Sequence, residues 1–111
     1  MNTVASFFEN ENSATIVTNV YKTKDYSLFK SIDGNRDVNP LHVKRLKDSF
    51  NKKYLINPII VNKRYEIIDG QHRFNAAKAL GLDVVFIICP DYEISDVQLL
   101  NTHARNWGKM N

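Results

Sequence analysis

Residues 67–81 read Ile-Ile-Asp-Gly-Gln-His-Arg-Phe-Asn-Ala-Ala-Lys-Ala-Leu-Gly, an apolar strand that passes through one glycine into a helix stopped by a second glycine. No other stretch of the chain constrains the local fold so tightly. Glycine lets the backbone turn sharply between the two elements and lets a ligand approach the main chain closely. The helix that follows opens on Gln71, His72 and Arg73, where main-chain N–H groups and the positive end of the helix dipole favour an anion. Arg73 is suited to grip two phosphate oxygens through its planar fork, with His72 as a second donor whose charge varies near neutral pH. Gly70, Gln71, His72 and Arg73 therefore read as a nucleotide-phosphate cradle. The competing reading is purely structural: strand, turn and polar first helical turn recur in many α/β domains, and Arg73 then reaches to solvent.

A chain of 111 residues with 43% hydrophobic residues and three prolines has the content of one compact domain. No apolar run approaches the roughly 20 residues needed to span a bilayer, and the start lacks the flank and core of a secretory signal. The expectation is a cytoplasmic protein with no membrane partner. Cys89 is the only cysteine, so no intramolecular disulfide forms; its place after Val84-Val85-Phe86-Ile87-Ile88 reads as core packing. His42, His72 and His103 lie far apart in sequence and no HExxH or CxxC spacing occurs, so no protein metal site is expected. Net charge is only +3, yet residues 36–78 hold ten Lys and Arg against four Asp and Glu. That positive field attracts a nucleotide or a DNA backbone alike.

Residues 1–13 read as a loosely held terminus carrying Phe7-Phe8, and residues 14–111 as a single domain. Thr15 to Tyr21 is β-rich and predicts a first strand. Asn39-Pro40 predicts a helix start, followed by Leu41 to Lys52 with Val43, Leu46 and Phe50 on an inward face and a basic outer face. Residues 57–62 and 64–69 predict a hairpin turning at Asn62-Lys63, which hands the chain to the Gln71–Leu80 helix; Ala76, Ala77 and Ala79 permit close packing, and Gly81 caps it. Asp83 to Cys89 predicts a buried strand. Ser95 is the expected N-cap of a last helix from Asp96 to about His103, with Val97 and Leu100 facing inward. A chain ending at Trp107 and Met110 soon after that helix reads as a module of a longer protein.

Taken in order, Gly34-Asn35-Arg36, Val43-x-x-Leu46-x-x-Ser49-Phe50, Leu55-Ile56-Asn57-Pro58-Ile59-Ile60-Val61 and Asp69-Gly70-Gln71-His72-Arg73-x-x-Ala76-Ala77 resemble the N-terminal domain of the ParB/sulfiredoxin superfamily. The resemblance implies an α+β fold, a small mixed β-sheet flanked by helices. It also implies a nucleotide site, for CTP or ATP, built from the helix after Asn35-Arg36 and from the Gly70 to Arg73 helix start. Gly70, His72 and Arg73 match the phosphate-gripping residues of the sulfiredoxin Gly-Cys-His-Arg motif, where ParB proteins read Gly-Glu-Arg-Arg. His42, Arg45 and Ser49 match positions that contact ATP in sulfiredoxin, and Ser49 also matches the serine of the ParB Leu-x-x-Ser-Ile pattern. Asn101 matches the amide of the ParB Glu-Asn-x-x-Arg motif, but the acid is missing and the arginine is shifted by one. The resemblance therefore does not carry CTP hydrolysis or clamp closure over to this chain. Gln71 stands where sulfiredoxin has its catalytic cysteine, and an amide cannot replace a thiolate nucleophile, which excludes sulfinic-acid repair.

The letters Asp-Gly-Gln-His-Arg also look like the signature of DGQHR-type proteins of bacterial DNA-modification islands, phages and mobile elements. The leading expectation is a ParB-like nucleotide-binding domain, a switch or slow NTPase in a DNA-associated protein. In it Gly70 to Arg73 bind phosphates, Arg45 and Ser49 line the wall, and Mg2+ arrives on the nucleotide. Asp69 is the candidate catalytic carboxylate, though it serves equally well as a cap on the helix behind it. The alternatives are a non-catalytic DNA-binding domain using the basic helix 41–53, a ParB-like nuclease, for which no carboxylate pair is evident, and phosphoryl transfer to a small hydroxyl compound.

Overall fold

The computed structural model describes residues 13–35 and 37–100. The expectations placed on the terminus 1–12, on Arg36 and on Asn101 lie outside the described residues, as does the continuation of the last helix to His103. Within the described residues the chain forms β1 (Tyr21–Thr23), a 3₁₀ turn (Tyr26–Leu28), β2 (Lys30–Ser31), α1 (Pro40–Lys52), β3 (Ile59–Val61), β4 (Glu66–Asp69), α2 (Gln71–Leu80) and β5 (Val84–Ile88). A further helix, α3, covers residues 94–100. The strands make one mixed sheet in the order β1-β5-β3-β4-β2. β1 runs antiparallel to β5 and β4 antiparallel to β3, whereas β3 pairs β5 and β2 pairs β4 in parallel.

Alternation along the strands divides the core into two layers, because successive residues face opposite sides of a sheet. Ile59, Val61, Ile67, Val84 and Phe86 meet Phe29, Phe74 and Ala77 on the α2 side. Ile68, one residue on from Ile67, meets Ile32 and Val97 on the other side, where Val97 brings in α3. Ala76 and Ala77 are buried, which lets α2 sit close to the sheet; Ala79 is exposed. The inward face of α1 is made of half-buried Val43, Leu46 and Phe50, and α1 has no fully buried residue. It is held from its ends as well as from its face. Asn39 caps it, accepting from the N–H groups of Leu41 (2.9 Å) and His42 (3.2 Å), and Pro40 occupies the first turn.

The α2 C-terminus follows its sequence closely. Gly81 adopts a left-handed conformation at φ 70°, and the Leu82 N–H donates back to Ala77 at 2.9 Å. Two tyrosine hydroxyls fasten the loop beyond it: Tyr26 donates to the Leu82 carbonyl and Tyr54 to the Asp83 carbonyl. Burial, then the nearby Asp83 charge, pushes the Tyr54 hydroxyl above its ordinary pKa and keeps it a donor.

The β3–β4 hairpin turns on Asn62, whose side chain is fully buried. Its Oδ1 accepts from the N–H groups of Arg64 and Glu66, both at 3.0 Å, while Nδ2 donates to Glu66 Oε1 and to the Tyr92 carbonyl. Tyr65 takes φ 60°, a conformation this cage imposes on a non-glycine residue.

Three sequence expectations differ from the structure, and one strand has no counterpart among them. The first strand is Tyr21–Thr23, not Thr15 to Tyr21, because the β5 partners run from Val84 to Phe86 and residues 14–20 are exposed. β-propensity measures fit to a packed surface, and this segment has none to fit. Strand β2 was not anticipated, since two residues carry no pattern. α3 starts at residue 94: the Val97 N–H reaches the Glu93 carbonyl, and Asp96 Oδ2 accepts from the Glu93 N–H at 2.9 Å, which puts the cap at Glu93 instead of Ser95. Val97 faces inward as expected, whereas Leu100 is 40% exposed.

Replacing Asn62 with alanine strands two main-chain donors, each worth about 1–3 kcal/mol when buried without a partner. We expect Asn62→Ala to cost about 3 kcal/mol in urea denaturation, one of the largest single losses in the domain. The Asn62 amide, with Arg64 after it, holds the Glu66 carboxyl below its ordinary value of 4.5. A depressed folded-state pKa stabilises above the unfolded value and is lost as pH falls through the folded one. The wild-type urea midpoint should therefore drop as pH falls below about 4.5, and that part of the drop should vanish in Glu66→Gln.

Candidate functional site

β4 ends at Asp69 and α2 begins at Gln71, so the whole reversal falls on Gly70, which sits at φ 99° and ψ 25°. Its conformation is left-handed, and its surroundings are tight. A Cβ there would lie 2.6 Å from Ile59 Cγ2 and 2.8 Å from Arg73 Nη2. No side-chain cap serves α2, in contrast to Asn39 on α1. The turn opens onto a cleft of about 270 Å³ lined by Asn35, His42, Leu46, Asn57, Ile68, Asp69, Gly70, Gln71, His72 and Arg73.

Gly70, Gln71, His72, Arg73 and His42 are thus brought together, as expected, and Asp69 joins them at the edge. Arg45 and Ser49 are exposed on α1 and do not line the cleft. The resemblance placed them on its wall; the inward packing of Val43, Leu46 and Phe50 instead sets the rotation of α1 so that only His42 and Leu46 reach it. Arg36 and Asn101 lie outside the described residues.

Arg73 does not extend to solvent. Its Nη2 donates to the Pro58 carbonyl at 3.1 Å and lies 3.5 Å from Asp69 Oδ2, and its Nε is buried without a hydrogen-bond partner. Asp69 therefore pairs with the arginine four residues on. His72 also differs from expectation. Its Nε2 accepts the Asn39 main-chain N–H at 2.9 Å, so that nitrogen is an acceptor and not a phosphate donor. The His42 and His72 rings stack, with centroids 4.4 Å apart and planes 28° from parallel. The positive ends of α1 and α2 converge on this point.

Sequence reasoning missed Asn35 and Asn57 as lining residues. Asn57 precedes Pro58, whose carbonyl accepts from Arg73; that dipeptide is the available signal. Asn35 donates from Nδ2 to the Ile67 carbonyl at 3.3 Å and lies in the Gly34-Asn35-Arg36 turn already singled out. Among the described residues no group of three or more His, Cys, Asp or Glu is placed to hold a metal ion. No helix among them is long and apolar enough to cross a membrane.

Compared with protein families, residues 10–102 match the ParB N-terminal domain. The chain belongs to the ParB N-terminal domain family. Among solved structures it is similar to the C-terminally truncated chromosome-partitioning protein ParB from Caulobacter crescentus, complexed with CTP-gamma-S. The TM-score is 0.61 at 18% identity, over 73% of this chain and 49% of that one. It is also similar to a Pnob8-like ParB-N domain, with TM-score 0.51 and 23% identity over 67% of this chain and 30% of that one. The chain thus spans half or less of these proteins, and at such identities the likeness is one of fold. Compared by sequence with curated proteins, it matches none.

The crowding at Gly70 gives a direct test of the β4–α2 turn. Gly70→Ala should cost roughly 2–4 kcal/mol, combining a disfavoured φ with overpacking against Ile59 and Arg73. Gly81→Ala, also at positive φ but with open space for a Cβ, should cost only about 1 kcal/mol in the same denaturation assay.

Proposed function

We propose that this ParB N-terminal domain binds a nucleoside triphosphate, CTP or ATP, with its phosphates at the α2 N-terminus, and acts as a switch or slow NTPase in a DNA-associated protein. The observation that carries the reading is the convergence of two helix N-termini and Arg73 on one polar cleft, with a glycine at the point of closest main-chain approach. The homologue complexed with CTP-gamma-S supports a phosphate ligand for this fold. Mg2+ would be held mainly by phosphate oxygens and would offset their charge, since it binds few protein carboxylates and keeps several waters. Asp69, the nearest carboxylate, is the candidate for orienting an attacking water, and gains that role only when Arg73 turns to the ligand.

Calorimetric titration with ATP, CTP, GTP and UTP, each with magnesium, tests this. Micromolar binding of one triphosphate is expected, lost in Arg73→Ala and weakened at least tenfold in His42→Glu. Glutamate at that first-turn position of α1 suits the helix dipole, so the second variant keeps its fold while placing a negative charge in the cleft. Absence of nucleotide binding, with duplex DNA binding that weakens steeply with salt and falls in Lys44→Glu and Arg45→Glu, would instead assign the domain to DNA docking through the exposed face of α1.

A further inference from the structure

We propose that His72 is a positioning residue, which in its neutral form with the proton on Nδ1 caps α1 from α2 and thereby sets the shape of the cleft. Asn39 uses its side chain to accept from Leu41 and His42, but its own N–H needs an acceptor too. In the common arrangement a Glu or Gln at the third helical position supplies one. Here that position is His42, which stacks on His72 instead. His72 Nε2, from the first turn of the other helix, takes the Asn39 N–H at 2.9 Å. A main-chain N–H can only donate, so Nε2 must carry a lone pair and the neutral ring must hold its proton on Nδ1. Protonation of Nε2 turns the acceptor into a donor facing a donor and releases the start of α1. Among the described residues, the titratable or charged groups that line the cleft with the ring are His42 on α1, Asp69 at the end of β4 and Arg73 on α2. His42 stacks on the ring, and Asp69 pairs with Arg73.

The effect on the ligand has a definite sign, and this part alone rests on the nucleotide reading. A histidine that donates to phosphate binds more tightly when protonated. A histidine that must be neutral to hold the site binds more weakly, by the neutral fraction, about tenfold per pH unit below its titration. His72→Gln offers an untitratable acceptor at the distance of Nε2 and separates the two.

The first measurement is ring nitrogen and amide NMR on the ligand-free chain. His72 Nε2 is expected to be unprotonated at pH 7.5. Asn39 amide exchange should be at least tenfold faster in His72→Ala, relative to its intrinsic rate, and near wild type in His72→Gln. A proton on Nε2, or an Asn39 amide indifferent to both substitutions, overturns the proposal. The second is titration with magnesium CTP and magnesium ATP between pH 8 and 5, read as the ratio of wild type to His72→Gln so that ionisation of the nucleotide cancels. The ratio should fall with acid in wild type and in His42→Phe, which keeps the stack without titrating. Acid-tightened binding that His72→Gln abolishes overturns the proposal. If neither nucleotide binds at any pH, the nucleotide reading fails, while the ring tautomer and the Asn39 amide still decide the role of His72.

Discussion

The left-handed turn at Gly70 is the constraint around which the rest of this domain is arranged. β4 lies next to β3, and α2 must leave β4 at an angle that drops Phe74 and Ala77 onto Ile59, Val61 and Phe86. A single residue makes that change of direction, with Ile59 on one side and the Arg73 guanidinium on the other. Because only glycine fits, the residue at the start of α2 has no side chain with which to cap it. One steric requirement therefore delivers the core helix and at the same time presents its N-terminus, uncapped by any side chain, to the cleft. The packing requirement and the chemical opportunity are the same feature of the chain.

α1 solves the same end problem in the opposite way. Asn39 satisfies its first turn from within, at a stabilisation of about 1 kcal/mol. What α1 lacks is depth, since its inward side chains are only half-buried. Its position over the cleft then depends on how its ends are fastened: the Asn39 N–H to His72 at one end, and the Phe50 and Tyr54 rings, 4.8 Å apart, at the other. A net hydrogen bond of about 0.5–1.5 kcal/mol is small against a buried core but not against a shallowly seated helix. The wall of the cleft therefore depends on polar contacts at the ends of α1 as well as on its packed face.

The elements legible in the sequence are those whose signals are local. Asn39-Pro40, Gly70 and Gly81 each specify a helix boundary through backbone geometry that the residue itself imposes, and all three boundaries lie where those residues put them. The hairpin was equally plain, because Asn62 provides both the turn and its hydrogen bonds. β1 and β2 were displaced or absent in the reading since strands of three and two residues owe their existence to partners far along the chain. The site shows the same division. Gly70 to Arg73 were legible because strand, glycine and helix are contiguous, whereas the acceptor role of His72 required knowing that Asn39 ends 2.9 Å away. Motif correspondence also placed Arg45 and Ser49 in the wall, but correspondence fixes order along a helix, not the rotation that Val43, Leu46 and Phe50 impose on it.

The contacts of Arg73 set how readily this cleft would accept the anion proposed for it. The guanidinium has five N–H donors, and its bond to the Pro58 carbonyl holds the plane in place from below. Its contact with Asp69 is different in kind: 3.5 Å long, with the carboxylate side chain 36% exposed, it falls in the class of ion pairs worth at most about 1 kcal/mol. A phosphate oxygen forms a shorter, charge-assisted bond at roughly twice the strength of a neutral one. Under the proposed function, exchange of Asp69 for phosphate would therefore cost little and would leave the anchor to Pro58 in place. Asp69 balances the Arg73 charge, so the domain does not bury an unpaired cation beneath the cleft.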